Sequence, residues 1–185
     1  MSKDTWFSSD YHFFHGNIIR HCGRTFGNWW EMNEAIIKNH NANVKPNDDF
    51  YHLGDFSLGQ PGKTIEILKR LNGNKYMIRG NHDKVLDKPE VQQYFIWIKD
   101  YYRLHIQDKD MRGGNQLIIL CHYAMRVWDQ SHRGESWQLF GHSHHRLPDD
   151  PNSLSIDVGV DGYNYRPISF NEIREIMSKK NINHS

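Results

Sequence analysis

At 185 residues the chain is long enough to bury a core of its own, and a composition 37% hydrophobic and 13% aromatic excludes a disordered polymer. Lys and Arg number 23 against 22 Asp and Glu, a formal charge of +1, so no global field recruits long nucleic acid or a membrane surface. Two cysteines, Cys22 and Cys121, exclude a disulfide framework; with no apolar run near the length of a membrane span and no signal-peptide core, the expectation is a cytoplasmic protein. Histidine is the outlier at 13 copies, and imidazole is both a common metal ligand and a proton carrier near neutral pH.

Residues 5–8 read as a short buried strand that stops at Ser9-Asp10-Tyr11-His12. Asp10 and His12 are two apart, so in extended chain they point to one side, where a carboxylate and an imidazole can chelate one divalent ion. The plainer reading makes Asp10 a turn cap. Residues 13–17 read as a loop at the mouth of the same site. Met32, Ala35, Ile36 and Ile37 recur at helical spacing over 30–42 behind Asn28 as N-cap. After a turn at 46–49, residues 50–53 form a second strand ended by Gly54-Asp55-Phe56, where the glycine admits another backbone or an ion. Ile65, Ile67, Leu68 and Leu71 mark a second amphipathic helix over 64–71. A third strand, 76–79, delivers Gly80-Asn81-His82-Asp83. Asn81 offers a neutral oxygen ligand and His82 a proton; the same four residues also read as an ordinary turn.

Strands alternating with helices, with polar groups after every strand, are the pattern of an α/β domain whose ligands sit at the strand-end rim. Residues 85–94 are helical apart from Pro89, 96–107 read as one or two strands, and 108–114 as a charged hairpin-like turn. Residues 116–120 form a buried strand ending in Cys121-His122-Tyr123. His122 is open to a structural or a ligand role there, and Cys121 reads as a small buried hydrophobe. The strand at 137–140 ends in Gly141-His142-Ser143-His144-His145; in extended backbone His142 and His144 share one side, as in the metal pairs of many hydrolases. A strand over 155–160, a helix over 171–177 and a polar, frayed tail from Ser178 complete the chain. No repeat or linker interrupts it, so one domain is expected over 1–185.

In order, Asp10-x-His12, Gly54-Asp55, Gly80-Asn81-His82-Asp83, His122 and Gly141-His142-x-His144 resemble the five motifs of the calcineurin-like metallophosphoesterase superfamily, over residues 5–145. The entry at 9–17, Asp157-Val158-Gly159-Val160-Asp161 and the run from Asn164 to Ser169 resemble a small bacterial and phage subgroup of it. The resemblance implies a four-layer α-β-β-α sandwich of two mixed sheets flanked by helices, with two divalent ions at its rim. One ion would take Asp10, His12 and His144, the other Asn81, His122 and His142, and Asp55 would bridge both. Mixed nitrogen and oxygen donors suit Mn first, with Fe, Zn or Ni also able to fill the sites. His82 would give a proton to the leaving oxygen or hold a phosphate oxygen, and Asp83 would orient His82 or cap the following segment. His15, Asn17 and Arg79 would touch substrate, His145 flanks the motifs, and Arg20, Arg126 and Arg133 are further phosphate-binding candidates. His21, His40, His52, His105, His132 and His184 read as surface or core residues.

The implied activity is metal-dependent hydrolysis of a small phosphoester, a diester or nucleotide in preference to a phosphoprotein. Gly54-Asp55-Phe56-Ser57-Leu58-Gly59 lacks the further aspartate and the Asp-Arg-Gly turn of the protein-phosphatase branch. A chain this short also leaves no room for a large capping domain, so an open cleft is expected. A phosphomonoesterase, a nuclease and a non-catalytic scaffold with a retained metal site are the alternatives.

Overall fold

The computed structural model describes residues 3–181; Met1, Ser2 and the end of the polar tail, His184 included, lie outside the described residues. Four strands, β1 (Thr5–Ser8), β2 (Asp49–His52), β3 (Asn74–Ile78) and β4 (Trp97–Lys99), run parallel in the order β4-β3-β2-β1. A short β9 (Ile168–Ser169) closes this sheet antiparallel to β1. The second sheet follows the order β5 (Tyr101–Gln107), β6 (Asn115–Cys121), β7 (Ser136–Phe140), β8 (Ser155–Asp157). Its β5 is antiparallel to β6 and the other pairs are parallel. Both sheets are therefore mixed, and with the helices that flank them they form the expected α/β sandwich.

Alternation along the strands builds two cores. Phe7, Tyr51, Leu53 and Ile78 of the first sheet bury against Ile118, Leu120, Trp137 and Leu139 of the second. On its other face the first sheet packs Phe50 and Met77 against Met32 and Ile36 of α2 (Trp29–Asn43) and Ile67 and Leu68 of α3 (Pro61–Arg70). Gln138 ties residues 123–125 to β7, its amide donating to the Tyr123 carbonyl at 2.9 Å and its oxygen accepting from Met125 N–H at 3.0 Å. Among the described residues no helix is long and apolar enough to cross a membrane.

Several boundaries differ from the sequence reading for identifiable reasons. A helix, α1 (Gly16–Cys22), follows the segment read as a loop; it has no side-chain N-cap and buries only Ile18, so it carries almost no periodic signal. Pro89 does not interrupt a helix but starts one, α4 (Pro89–Gln92), at a position where its missing N–H costs nothing. Residues 96–107 are two strands of different sheets, parted at Asp100. The strand read over 155–160 stops at Asp157, and Val160–Gly162 is a 3-10 turn. The last helix, α5 (Phe170–Ser178), opens with a reciprocal Ser169–Glu172 capping box.

Candidate metal centre

β1, β2, β3, β6 and β7 all end at one rim, and the polar residues beyond them turn sharply. Asp10, His12, Asp55, His142 and His144 adopt positive φ of 60°, 51°, 58°, 66° and 49°. This corrects the extended-chain argument: neither Asp10 with His12 nor His142 with His144 is aligned by strand alternation. Left-handed backbone costs a non-glycine residue roughly 1–2 kcal/mol, and such strain persists where surrounding bonds over-determine it. Those bonds are present. Asp10 N–H donates to the Gly54 carbonyl at 3.0 Å and His12 N–H to that of Asp55 at 2.9 Å. His142 N–H donates to the Asp10 carboxylate at 2.9 Å. Gly54 has φ 96°, and a side chain there would overlap the His122 ring and the Gly80 backbone.

The side chains converge as two groups. Asp10, His12 and His144 each offer a ligand atom, all within 4.8 Å of one another, and so do Asp55, His122 and His142. Asn81 joins the second group, its Oδ1 3.2 Å from His122 Nε2. His142 and His144 thus serve different groups. Asp55 faces both: its Oδ2 lies 3.5 Å from His12 Nε2 and 3.6 Å from His122 Nε2. Its Oδ1 accepts the His82 N–H at 2.8 Å.

The donor atoms fit a cation. His12 Nε2 is buried with no hydrogen-bond partner, although it faces Asp55 and, at 3.9 Å, Asp10. Leaving such an atom unpaired is costly, and a metal ion is one partner that would satisfy it. His122 Nδ1 sits 2.7 Å from the Leu53 carbonyl and His144 Nδ1 2.8 Å from Asp161 Oδ2. Donation through Nδ1 leaves each Nε2 as the lone pair facing the site. Burial raises the Asp10 carboxyl to about 6, against the opposing charges of His122 and His144. Burial opposes charge on His144 too, yet its bonds to Asp161 and Cys22 and the nearby Asp10 lift the imidazole to about 10, so its Nε2 gives up a proton when it takes a cation. Asp55 is also penalised by burial, but His122 and the His82 N–H hold it below the usual carboxylate range.

Two expected roles change. Asp83 neither orients His82 nor caps the segment after it. Its buried carboxylate accepts from the N–H groups of Asp55, Phe56 and Gly80, each at 2.8 Å, and so pins the loop that carries Asp55. Arg79 does not line the cleft; it bonds Asp87 at 2.9 Å. His15, Asn17 and His82 do line that cleft, which measures ≈ 470 Å³.

Sequence reasoning missed four residues. Arg24, with its side chain wholly buried, grips Asp161 at 2.7 and 2.9 Å and also donates to the Asp10 carbonyl at 2.7 Å. It therefore ties His144, through Asp161, to the Asp10 turn. Asp161 stood within a quoted motif, whereas a lone arginine after Gly23 carries no signal. Cys22, His144 and Asp161 form a third close group, but there Arg24 already supplies the positive charge. Arg146 and His21 line the cleft beside Asn17.

Fold and site together define an α/β sandwich whose strand-end rim carries histidine–aspartate groups that could hold metal ions. The chain belongs to the family of the uncharacterised protein MJ1445 of Methanocaldococcus jannaschii. The two are 34% identical over 181 residues, 94% of this chain and 91% of that protein. No family model matches the chain. Among solved structures, the protein of unknown function AQ665 from Aquifex aeolicus is similar, with a TM-score of 0.73 and 28% identity over 95% of this chain and 100% of that one. An uncharacterised Streptococcus pneumoniae protein described as a predicted phosphoesterase is a distant neighbour, with a TM-score of 0.41 and 14% identity over 86% of this chain and 72% of that one.

Proposed function

We propose that this protein is a single-domain calcineurin-like metallophosphoesterase, acting in the cytoplasm on small phosphodiester or nucleotide substrates. Asp10, His12 and His144 would hold one divalent ion, and Asn81, His122 and His142 a second. The carrying observation is Asp55 Oδ2, placed 3.5 Å from His12 Nε2 in one group and 3.6 Å from His122 Nε2 in the other. One carboxylate oxygen facing both groups is the arrangement a bridging ligand requires. Bound divalent ions supply Lewis acidity toward phosphoryl oxygens and acidify water.

The chain's own residues supply the rest. Leu53 and Asp161 fix the tautomers of His122 and His144, and Asp83 holds the backbone of Asp55. His82 is exposed in the cleft, its ring centroid 5.5 Å from that of His12, while its N–H is anchored on Asp55. It is free to give a proton to the leaving oxygen. His15 and Asn17 border the same space and contact the substrate.

The test is hydrolysis of an aryl phosphodiester and the matching monoester after chelation and reloading with Mn. Metal-dependent turnover is expected, falling about 10²–10⁴-fold in His82→Ala while bound Mn is unchanged. The diester-to-monoester ratio separates a diesterase from the phosphomonoesterase alternative. Turnover indifferent to metal, or to His82→Ala, would contradict the mechanism.

A further inference from the structure

The cleft is lopsided. It runs from Asp55 past His12 and His144 to α1, and neither Asn81 nor His122 lines it. A substrate therefore has room to extend from the reacting phosphorus over α1. The lining holds six histidines and Arg146 against a single carboxylate, Asp55, which faces both metal-ligand groups. No Phe, Tyr or Trp lines it among the described residues. At its far wall Arg146 reaches across to α1, donating through Nη2 to the His21 carbonyl, with Nη1 3.4 Å from His21 Nε2. Among the described residues no carboxylate pairs with Arg146, and Asn17 adds an amide on the same wall.

A guanidinium held on α1 by the carbonyl and ring of His21, with further N–H groups and no carboxylate beside it among the described residues, is suited to a phosphate oxygen. Resting on the two-ion reading above, we propose that Arg146, His21 and Asn17 form a subsite for a second phosphoryl group. The substrate class is then one with two adjacent phosphoryl groups, such as a nucleoside diphosphate or another pyrophosphate-bearing molecule.

Binding of AMP and ADP to the Mn-loaded full chain, at constant free Mn, tests this by calorimetry. The two ligands share a nucleoside and differ by one phosphoryl group. The parent is expected to bind ADP at least about tenfold tighter than AMP. Arg146→Gln is expected to cost about tenfold in ADP affinity, several times more than it costs AMP. Asn17→Ala should move the ratio in the same direction, while Arg103→Gln, whose guanidinium pairs with Asp129 outside the cleft, should not. No ADP preference in the parent, or an equal loss for both nucleotides in Arg146→Gln, would overturn the subsite while leaving the metal reading intact. Failure of Mn itself to bind would remove both.

Discussion

Arg24 shows how a residue remote from any motif can govern a site. Its guanidinium closes a chain of bonds from the Asp10 carbonyl to Asp161 and on to His144 Nδ1. Burial discourages ionisation of Asp161, but its bonds to His144 and Arg24 hold the carboxyl below its ordinary value. Removing Arg24 would leave the largely buried Asp161 carboxylate short of donors and free to shift, and His144 with it. Asp161→Asn, close in shape, is the gentler test. It is expected to weaken Mn binding about 10–100-fold while secondary structure is retained. Arg24→Lys should recover little, because an ammonium cannot reproduce the two-pronged contact. Unchanged Mn affinity in Asp161→Asn would reduce this chain of bonds to scaffolding. What hides Arg24 from sequence reasoning is physical: its carboxylate partner is 137 residues distant and two of its other acceptors are backbone carbonyls.

At the scale of elements, what was legible is what hydrophobic periodicity records. β1, β2, β3, β6 and β7 are apolar runs ending in groups that could ligate a metal, and these placed Asp10, Asp55, Asn81, His122 and His142 on one rim. Helix α2 announced itself through Asn28, whose side chain accepts the Glu31 N–H. Illegible elements carried weaker or long-range signals. Helix α1 has one buried residue, and the division of residues 96–107 between two sheets depends on partners elsewhere in the chain. The capping box at Ser169 and Glu172 and the proline opening α3 were readable but went unread. The left-handed turns after the strands were unreadable, since Asp and His tolerate positive φ better than most residues but do not require it. Cross-chain bonds impose it. Convergence of the site residues was thus anticipated, while the backbone geometry producing it was not.

Across the whole molecule, the packing behind the site makes the fold sensitive to acid. His40 and His52 are buried, and burial depresses both, His40 to about 4 against the opposing pull of the Asn72 carbonyl. Neither nitrogen of His52 has a partner, and its ring lies among Tyr11 and Phe56 at centroid distances of 4.6 and 5.1 Å. A histidine depressed in the fold favours the native state fully above its unfolded value near 6.5; that contribution is lost as pH falls from there toward the folded value. His52→Phe is therefore expected to gain stability relative to the parent as pH drops from 7 to 5, by up to about 1.4 kcal/mol per pH unit below 6.5. Urea unfolding of both proteins in a chelator gives the difference directly; a gap independent of pH would show that His52 does not stay neutral in the fold.

The two facing groups, joined at Asp55, are the centre of the account, and counting ions tests them most directly. Mn bound per chain would be measured calorimetrically and by elemental analysis for the parent and for Asp55→Asn, which keeps the shape but lowers the charge of the carboxylate that faces both groups. The account predicts two ions per parent chain, with Asp55→Asn losing one or weakening both by about 100-fold. A parent chain that retains no divalent ion, or an Asp55→Asn variant that binds two as tightly as the parent, would contradict it.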